Sequence, residues 1–166
     1  MAFKWEDYLI WAEGIHSNFL LNAKAISEAE LRTSVSRSYY AAFNIVRSYG
    51  LKSNSALAFN IVPYFILRKS SAGRALPQYV KNFKGNLNAN DYREANDHQN
   101  VYYSLLDFEM SLPKPQRRNL ARKLQGSRTD RNECDYESVI SKPLGAMVSK
   151  ALQDAREIVD YINGLP

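Results

Sequence analysis

Several residue types that carry chemistry in proteins are scarce in this sequence. Cys134 is the only cysteine, and His16 and His98 are the only histidines. A single cysteine excludes an intramolecular disulfide and a cysteine-based zinc site. The sequence also has no glycine-rich phosphate loop, no GxSxG turn and no HExxH motif. Because none of these patterns is present, we predict neither a metal ion nor a cofactor.

Long apolar runs are missing as well. The longest candidate covers residues 61–67, far short of the roughly 20 residues that a membrane helix needs. Glu6 and Asp7 interrupt the N-terminal stretch, which lacks the charged-then-apolar order of a signal peptide. With the single cysteine, these features predict a cytoplasmic protein without a membrane partner. A length of 166 residues, 45% of them hydrophobic, suits one domain over 1–166.

Apolar residues recur every three or four positions in several segments, which predicts amphipathic helices. The first covers residues 5–26, and the second begins at the Ser27-x-x-Glu30 capping box and ends near Tyr49, before Gly50. Apolar spacing also predicts helices over 97–110 and from Ser141 to about 163, and helix propensity predicts one over 116–134. No segment has a convincing strand pattern. The predicted fold class is all-α, an antiparallel up-and-down bundle of four to five helices.

Residues 52–95 interrupt this regularity. They contain Gly73, Pro77, Gly85 and several asparagines, and they have little sustained apolar period. Such composition is typical of a long loop. We therefore predict an irregular insertion here, with a short helix around Ser55–Val62.

Positive charge is concentrated in residues 114–131. These eighteen residues include seven lysines and arginines but only one acidic residue, Asp130. Such a local field favours phosphate groups, and the overall charge of +5 points the same way. The candidate phosphate-binding residues are Arg118, Arg122, Lys123 and Arg128. The alternative is a solvated helix face whose charges pair with neighbouring helices.

The stretch from Arg128 to Tyr136 is the most polar part of this region. In a helix, side chains three and four positions apart lie above one another. This spacing puts Arg128, Arg131, Asn132, Asp135 and Tyr136 on one face. Either Arg131 and Asp135 form an ordinary ion pair, or Asp135 and Asn132 hold Arg131 toward a phosphate. Cys134 is expected to be a small residue turned toward the core.

His98 is the second candidate for chemistry. It stands at the start of the predicted helix over 97–110, and four residues separate it from Arg93. An arginine and a histidine at this spacing form a weak pattern. Asn96 and Asp97 could equally serve as capping residues at the start of the helix.

Two short motifs resemble signatures of the HEPN domain family. They are Ser38-Tyr39-Tyr40-Ala41-Ala42-Phe43 in the second helix and Arg131-Asn132-Glu133-Cys134-Asp135-Tyr136 late in the chain. The branch they resemble has a SYYAxF-like second helix and a late RxxxDY motif. In that branch a histidine often begins the third helix, where His98 falls. The resemblance covers most of the chain outside 52–95.

The resemblance implies a helical bundle that forms a homodimer, with two copies of the arginine motif in a symmetric cleft. It also implies an RNA or nucleotide ligand and, in many members, a nucleotidyltransferase partner in a toxin–antitoxin module. Active members are metal-independent ribonucleases. Their arginine stabilises charge on the phosphate, and a histidine four to six residues later assists proton transfer.

This sequence departs from the active pattern, because Asp135 or Tyr136 stands where that histidine is expected. Three interpretations therefore stay open. In a ribonuclease, Arg131 binds phosphate, Asn132 and Asp135 position it, and His98 or Tyr136 handles protons. In a non-catalytic module, the same face binds nucleotide, RNA or protein without cutting. In a structural adaptor, Arg131 and Asp135 form only a salt bridge and the insertion is the partner surface.

Overall fold

Helices dominate the part of the chain that the structure describes. A computed structural model describes residues 4–52, 61–68, 78–81 and 89–165. The α-helices within these ranges are α1 Glu6–Leu21, α2 Glu28–Lys52, α3 Asp97–Ser111, α4 Leu120–Tyr136 and α5 Leu144–Asn163. This agrees with the predicted all-α class. None of these helices is long and apolar enough to cross a membrane.

Helix α2 is the centre of the bundle and packs against the other four helices. The apolar stripe that its spacing predicts is confirmed at Leu31, Val35, Tyr39, Ala42 and Val46, which are all buried, while its last member, Tyr49, is half-buried. Helix α5 supplies a second buried stripe that packs along α2. Burial of apolar side chains is the main favourable term in folding, so this stripe explains why α2 occupies the middle.

The start of α2 follows the sequence signal, but its end does not. The Ser27 backbone N–H donates to Glu30 Oε2 at 2.8 Å, and the Glu30 backbone N–H donates to Ser27 Oγ at 3.2 Å. The predicted capping box is therefore present. The predicted stop at Gly50 is wrong, because the helix continues to Lys52. A helical glycine costs only about 1 kcal/mol relative to alanine, and the packing of this buried helix outweighs that cost.

Helix α4 carries the candidate residues, and both of its ends are held by other helices. The buried Glu109 carboxylate of α3 accepts the backbone N–H groups of Leu120 and Ala121 at 2.7 and 2.8 Å. At the other end, Arg32 Nη1 of α2 donates to the Cys134 carbonyl at 3.1 Å. A carboxylate at the N-terminus and a guanidinium at the C-terminus both complement the helix dipole. The site therefore sits on a fixed helix.

Three short strands correct the expectation that the chain has none. They are β1 Phe65–Leu67, β2 Tyr79–Val80 and β3 Tyr92–Glu94, paired antiparallel in the order β2-β1-β3. Strands of two or three residues are too short to show an alternating pattern in sequence. The predicted helix around Ser55–Val62 lies mostly outside the described residues, and its described end at 61–62 is not helical.

The small sheet is attached to α3 through tyrosines. The Tyr64 hydroxyl donates to Asp107 Oδ2 at 2.5 Å, and the Tyr79 hydroxyl donates to Asp107 Oδ1 at 3.4 Å. Tyr79 also stacks on Tyr103 of α3, with ring centroids 4.2 Å apart. The described part of the insertion is thus anchored along α3, the helix whose second residue is His98.

Candidate functional site

Two adjacent residues of α2, Tyr39 and Tyr40, are hereafter the tyrosine pair, and they connect the candidate residues. The Tyr39 hydroxyl lies 2.5 Å from His98 Nδ1 at the start of α3. The Tyr40 hydroxyl accepts a hydrogen bond of 2.6 Å from Arg131 Nη2 on α4. Successive helical side chains point about 100° apart, so one turn of α2 contacts both neighbours. The tyrosine pair therefore brings the three sequence motifs to one place.

The Arg131 guanidinium is engaged on every side. Besides Tyr40, it donates from Nη1 to Asn132 Oδ1 at 2.9 Å. Its Nε lies 2.6 Å from Asp135 Oδ2, a close ion pair in which the N–H is not aligned for a hydrogen bond. The guanidinium also lies 5.0 Å from the Tyr40 ring centroid and 5.2 Å from that of Tyr136. Its orientation is thus fixed by charge, hydrogen bonding and cation–π contact.

The electrostatic balance keeps Arg131 charged. Burial alone lowers the pKa of Arg131, but the Asp135 carboxylate and the nearby hydroxyls of Tyr136 and Tyr40 outweigh this, so the pKa is raised. Asp135 is itself held, because the Ser36 hydroxyl of α2 donates to its Oδ1. The predicted ion pair is confirmed, and it is part of a contact between α4 and α2.

His98 is held by rings as well as by its hydrogen bond. Its imidazole lies 4.3 Å from the Phe43 ring and 5.7 Å from the Tyr39 ring, measured between centroids. Nδ1 is bonded to Tyr39. The other ring nitrogen, Nε2, has no hydrogen-bond partner among the described residues, and it is not fully buried. One ring nitrogen is therefore fixed and the other is open to a ligand.

The surroundings of His98 favour its neutral form. Burial lowers the pKa of His98 from its ordinary value, and the charges of Arg128 and Arg131 lower it further, with Asp97 acting in the opposite direction. Burial also raises the pKa of Tyr39, so this phenol stays protonated. A neutral imidazole beside two guanidinium groups is the state that a general base requires.

Arg128 is the arginine of the site whose charge is not paired within the described ranges. It is half-buried and lies close enough to lower the pKa of both Tyr39 and His98. Within the described ranges it has neither an ion pair nor a hydrogen bond. Arg131, by contrast, has its charge matched by Asp135. Of the two arginines that flank His98, Arg128 is thus the better placed to accept a phosphate.

The other predicted residues of α4 are spread around its surface. Asn132 and Tyr136 are exposed, and Tyr136 is 71% accessible. Lys123 faces α5 and pairs with Asp154 at 3.1 Å and Glu157 at 2.9 Å. Its charge is therefore used inside the bundle.

Two predicted phosphate-binding arginines lie apart from the tyrosine pair. Arg118 precedes α4 and is exposed, as is Arg122. Arg122 stands nine positions before Arg131, which is about two and a half helical turns, so it points to the opposite side of α4. The basic run of the sequence is thus divided among several surfaces.

A cleft beside the tyrosine pair contains residues that the sequence did not single out as ligands. It has a volume of about 380 Å³ and is lined by Trp5, Tyr8, Tyr40, Phe43, Asn44 and His98; we refer to it as the aromatic cleft. The spacing of Tyr8 predicted only a core position. The signal available in sequence was the richness of both helices in aromatic residues, which does not distinguish a cleft wall from a core.

Three further candidates are settled by their surroundings. Arg93 is exposed on β3 and donates to Gln99 at 3.2 Å, rather than to the partners of His98. Cys134 is buried as predicted, and burial raises the pKa of its thiol to about 11, which keeps it unreactive. In the described part of the chain, no group of three or more His, Cys, Asp and Glu residues could hold a metal ion.

Comparison with protein-family models, with curated proteins and with solved structures gives no match. The family resemblance therefore stays a prediction, and a function can be proposed only from the residues of the site.

Proposed function

We propose that this chain is an RNA-directed helical protein of the HEPN type, acting as a metal-independent endoribonuclease in the toxin-like half of a toxin–antitoxin or defence module. The observation that carries the proposal is the tyrosine pair. It holds His98 through Tyr39 and Arg131 through Tyr40, from two different helices. In this proposal, His98 of α3 takes the role of the histidine that the arginine motif lacks.

The residues suit cleavage at a 2′-hydroxyl. When His98 Nδ1–H donates to the Tyr39 oxygen, Nε2 has a free lone pair and takes the proton from the ribose 2′-hydroxyl. The 2′-oxygen then attacks phosphorus, and the bond to the 5′-oxygen of the next nucleotide breaks as that oxygen takes a proton from a water molecule, which is restored by the proton that His98 accepted. The products are a 2′,3′-cyclic phosphate and a 5′-hydroxyl.

Positive charge offsets the charge that develops on the phosphate. Arg128 would contact the phosphate directly, because it has no counter-ion among the described residues. Arg131 would act as a second, fixed charge behind it, with Asp135 and Asn132 holding its orientation.

The test is cleavage of end-labelled single-stranded RNA by purified protein in the presence of a chelator. We expect products that end in a 2′,3′-cyclic phosphate. Both Arg131→Ala and His98→Ala should lower the cleavage rate by roughly a hundredfold or more, the size of effect seen when a catalytic acid–base or charge-stabilising group is lost.

Arg122→Ala is the matched control. It removes the same charge from the same helix, but from the opposite side, so the rate should change little. Uncut RNA with the folded wild-type protein would refute the nuclease proposal. Equal losses in Arg122→Ala and Arg131→Ala would show that only the net charge matters.

A second candidate function, binding without cleavage, is favoured by the state of Arg131. Its guanidinium already contacts Asp135, Asn132 and Tyr40, and its side chain is only 14% exposed. In that case the protein would retain RNA on a filter without cutting it. Arg128→Ala would then weaken retention, and His98→Ala would have little effect.

The partner proposals concern the exposed edge of the same motif. Tyr136 is 71% accessible and lies beside Arg131, so a nucleotidyltransferase partner could modify its hydroxyl. We also propose a homodimer in which two arginine motifs face one cleft. Light scattering after size-exclusion chromatography would test the dimer, and mass spectrometry after co-expression with a candidate transferase would test the modification.

A further inference from the structure

The aromatic cleft has a chemistry that RNA cleavage alone does not explain. We infer that it binds one unpaired base of single-stranded RNA and that Arg37, at its rim, contacts the adjoining phosphate. This inference rests on the proposed RNA-directed function and names the substrate contact of that site.

The lining of the cleft suits a flat, weakly polar group. Its residues include four aromatic side chains and one imidazole, with no aspartate or glutamate among them. Its volume of about 380 Å³ falls within the range of small-ligand sites. Aromatic rings bind unpaired bases by stacking, with little dependence on sequence. A nucleobase therefore matches both the shape and the chemistry of the cleft.

The amide of Asn44 is placed to bond the edge of such a base. Asn44 Nδ2 donates to the Tyr40 carbonyl at 2.9 Å, while Asn44 Oδ1 has no partner among the described residues. The His98 imidazole also lines the cleft, and its Nε2 is kept for the ribose 2′-hydroxyl. A few fixed polar groups within an apolar wall are what orients a small ligand.

Arg37 supplies the charge at the rim. Its guanidinium carbon lies 5.0 Å from the Tyr8 ring centroid and 4.2 Å from that of Trp11. Stacking fixes the plane of the guanidinium and leaves its N–H donors at the edges. No ion pair or hydrogen bond engages Arg37 in the described ranges. Arg37 is not itself a lining residue, but it contacts Tyr8, which lines the cleft, so its charge lies one ring away from the cleft wall.

Charge complementarity identifies the occupant as a nucleic acid strand. Arg37 contacts one wall of the cleft through Tyr8, and Arg131 contacts another through Tyr40. Cations beside an aromatic cleft match a base with phosphates attached to it. The strand must be single, because a paired and stacked base cannot enter.

The protein contains a built-in probe, since Trp5 lines the cleft and Trp11 lies against Arg37, and these are its only tryptophans. Tryptophan fluorescence would be titrated with adenosine and uridine monophosphates, with ribose 5-phosphate and with a short single-stranded RNA. We expect quenching by the nucleotides and the RNA, and none by ribose 5-phosphate. Arg37→Gln should weaken RNA binding by about tenfold.

A matched pair of variants assigns the quenching to one cleft. Trp5 also borders a second cleft that contains Ser48, one helical turn beyond Asn44 on α2. Asn44→Leu fills the aromatic cleft and should reduce nucleotide affinity by roughly tenfold or more. Ser48→Leu fills the other cleft and should leave the affinity unchanged.

Equal quenching by ribose 5-phosphate, or an undiminished affinity in Asn44→Leu, would overturn the inference. A further outcome separates the subsite from the function. If nucleotides do not quench the wild-type protein and Asn44→Leu still cleaves RNA, the base subsite is overturned and the proposed function stands. Nucleotide quenching by a protein that neither binds nor cuts RNA would overturn both the proposed function and the RNA strand as the occupant of the cleft.

Discussion

Two faces of α4 carry similar charges but have different surroundings. On the face toward α5, the buried Asp130 pairs with Lys142 at 2.5 Å, and Lys123 and Lys150 pair with Asp154. On the face toward α2, Arg131 pairs with Asp135 while Arg128 has no counter-ion in the described ranges. The first is a closed network of alternating charges. The second leaves one cation beside a neutral histidine and an aromatic cleft.

The difference shows how structure and function separate within one helix. Cations matched by buried carboxylates serve to join α4 to α5. A cation left unmatched in a partly buried place is costly unless something binds there, and so it marks a candidate site. Five predictions test this distinction, and they are given from the largest expected effect to the smallest.

Asp130→Ala should lower the free energy of unfolding by about 3 kcal/mol, because it removes the buried carboxylate that Lys142 contacts. Asp135→Ala should cost only about 1 kcal/mol, since Asp135 is 26% exposed and its loss is partly compensated by water. Urea denaturation followed by circular dichroism would measure both. RNA binding should survive in Asp130→Ala, and equal stability losses in the two variants would contradict the comparison.

Arg128→Ala should weaken binding of single-stranded RNA by about tenfold, a loss of about 1.4 kcal/mol. The plot of log affinity against log salt concentration should become shallower by about 0.7, the value for one phosphate contact on a single strand. Arg118→Ala removes an equal charge outside the site and provides the control. If both variants change the slope equally, the unmatched cation has no special role.

Tyr39→Phe should lower the free energy of unfolding by about 1 kcal/mol, because it removes the hydrogen bond to His98 and keeps the packed ring. Cleavage should slow by about tenfold, since the imidazole loses the partner that orients it. Thermal denaturation and the RNA assay would measure the two effects. A normal cleavage rate in the variant would show that Tyr39 has only a packing role.

Mild acid should destabilise the protein slightly through His98. Its pKa is lowered in the folded state by burial and by Arg128, so the unfolded chain binds the proton more tightly. The stabilisation is complete above the ordinary value of 6.5 and is lost as the pH falls below it. Urea denaturation between about pH 7.5 and pH 5.5 should show this loss, and His98→Gln should reduce it.

The same shift predicts the pH dependence of cleavage. A general base with a lowered pKa stays unprotonated, and therefore active, at a lower pH than a free histidine would, so the acid limb of the rate profile should lie below pH 6.5. A limb above that value would exclude His98 as the base.

The sequence predicted four helices through their apolar periodicity, and it predicted α4 through helix propensity, since the apolar period of α4 is weak. It predicted the buried stripe of α2 and the ion pair of Arg131 with Asp135, since four residues along one helix fix their separation. It could not predict β1 to β3, whose strands are too short to show a period.

Helix packing, rather than local sequence, sets which charged residues pair with which partners. In sequence, Lys123 and Arg128 belong to one basic run, yet Lys123 is matched by Asp154 and Glu157 while Arg128 is left beside His98. The distances along the chain between these partners are long, and no local spacing encodes them. Helix packing alone places His98 and Arg131 on two adjacent tyrosines of α2, and the proposed site exists because of that packing.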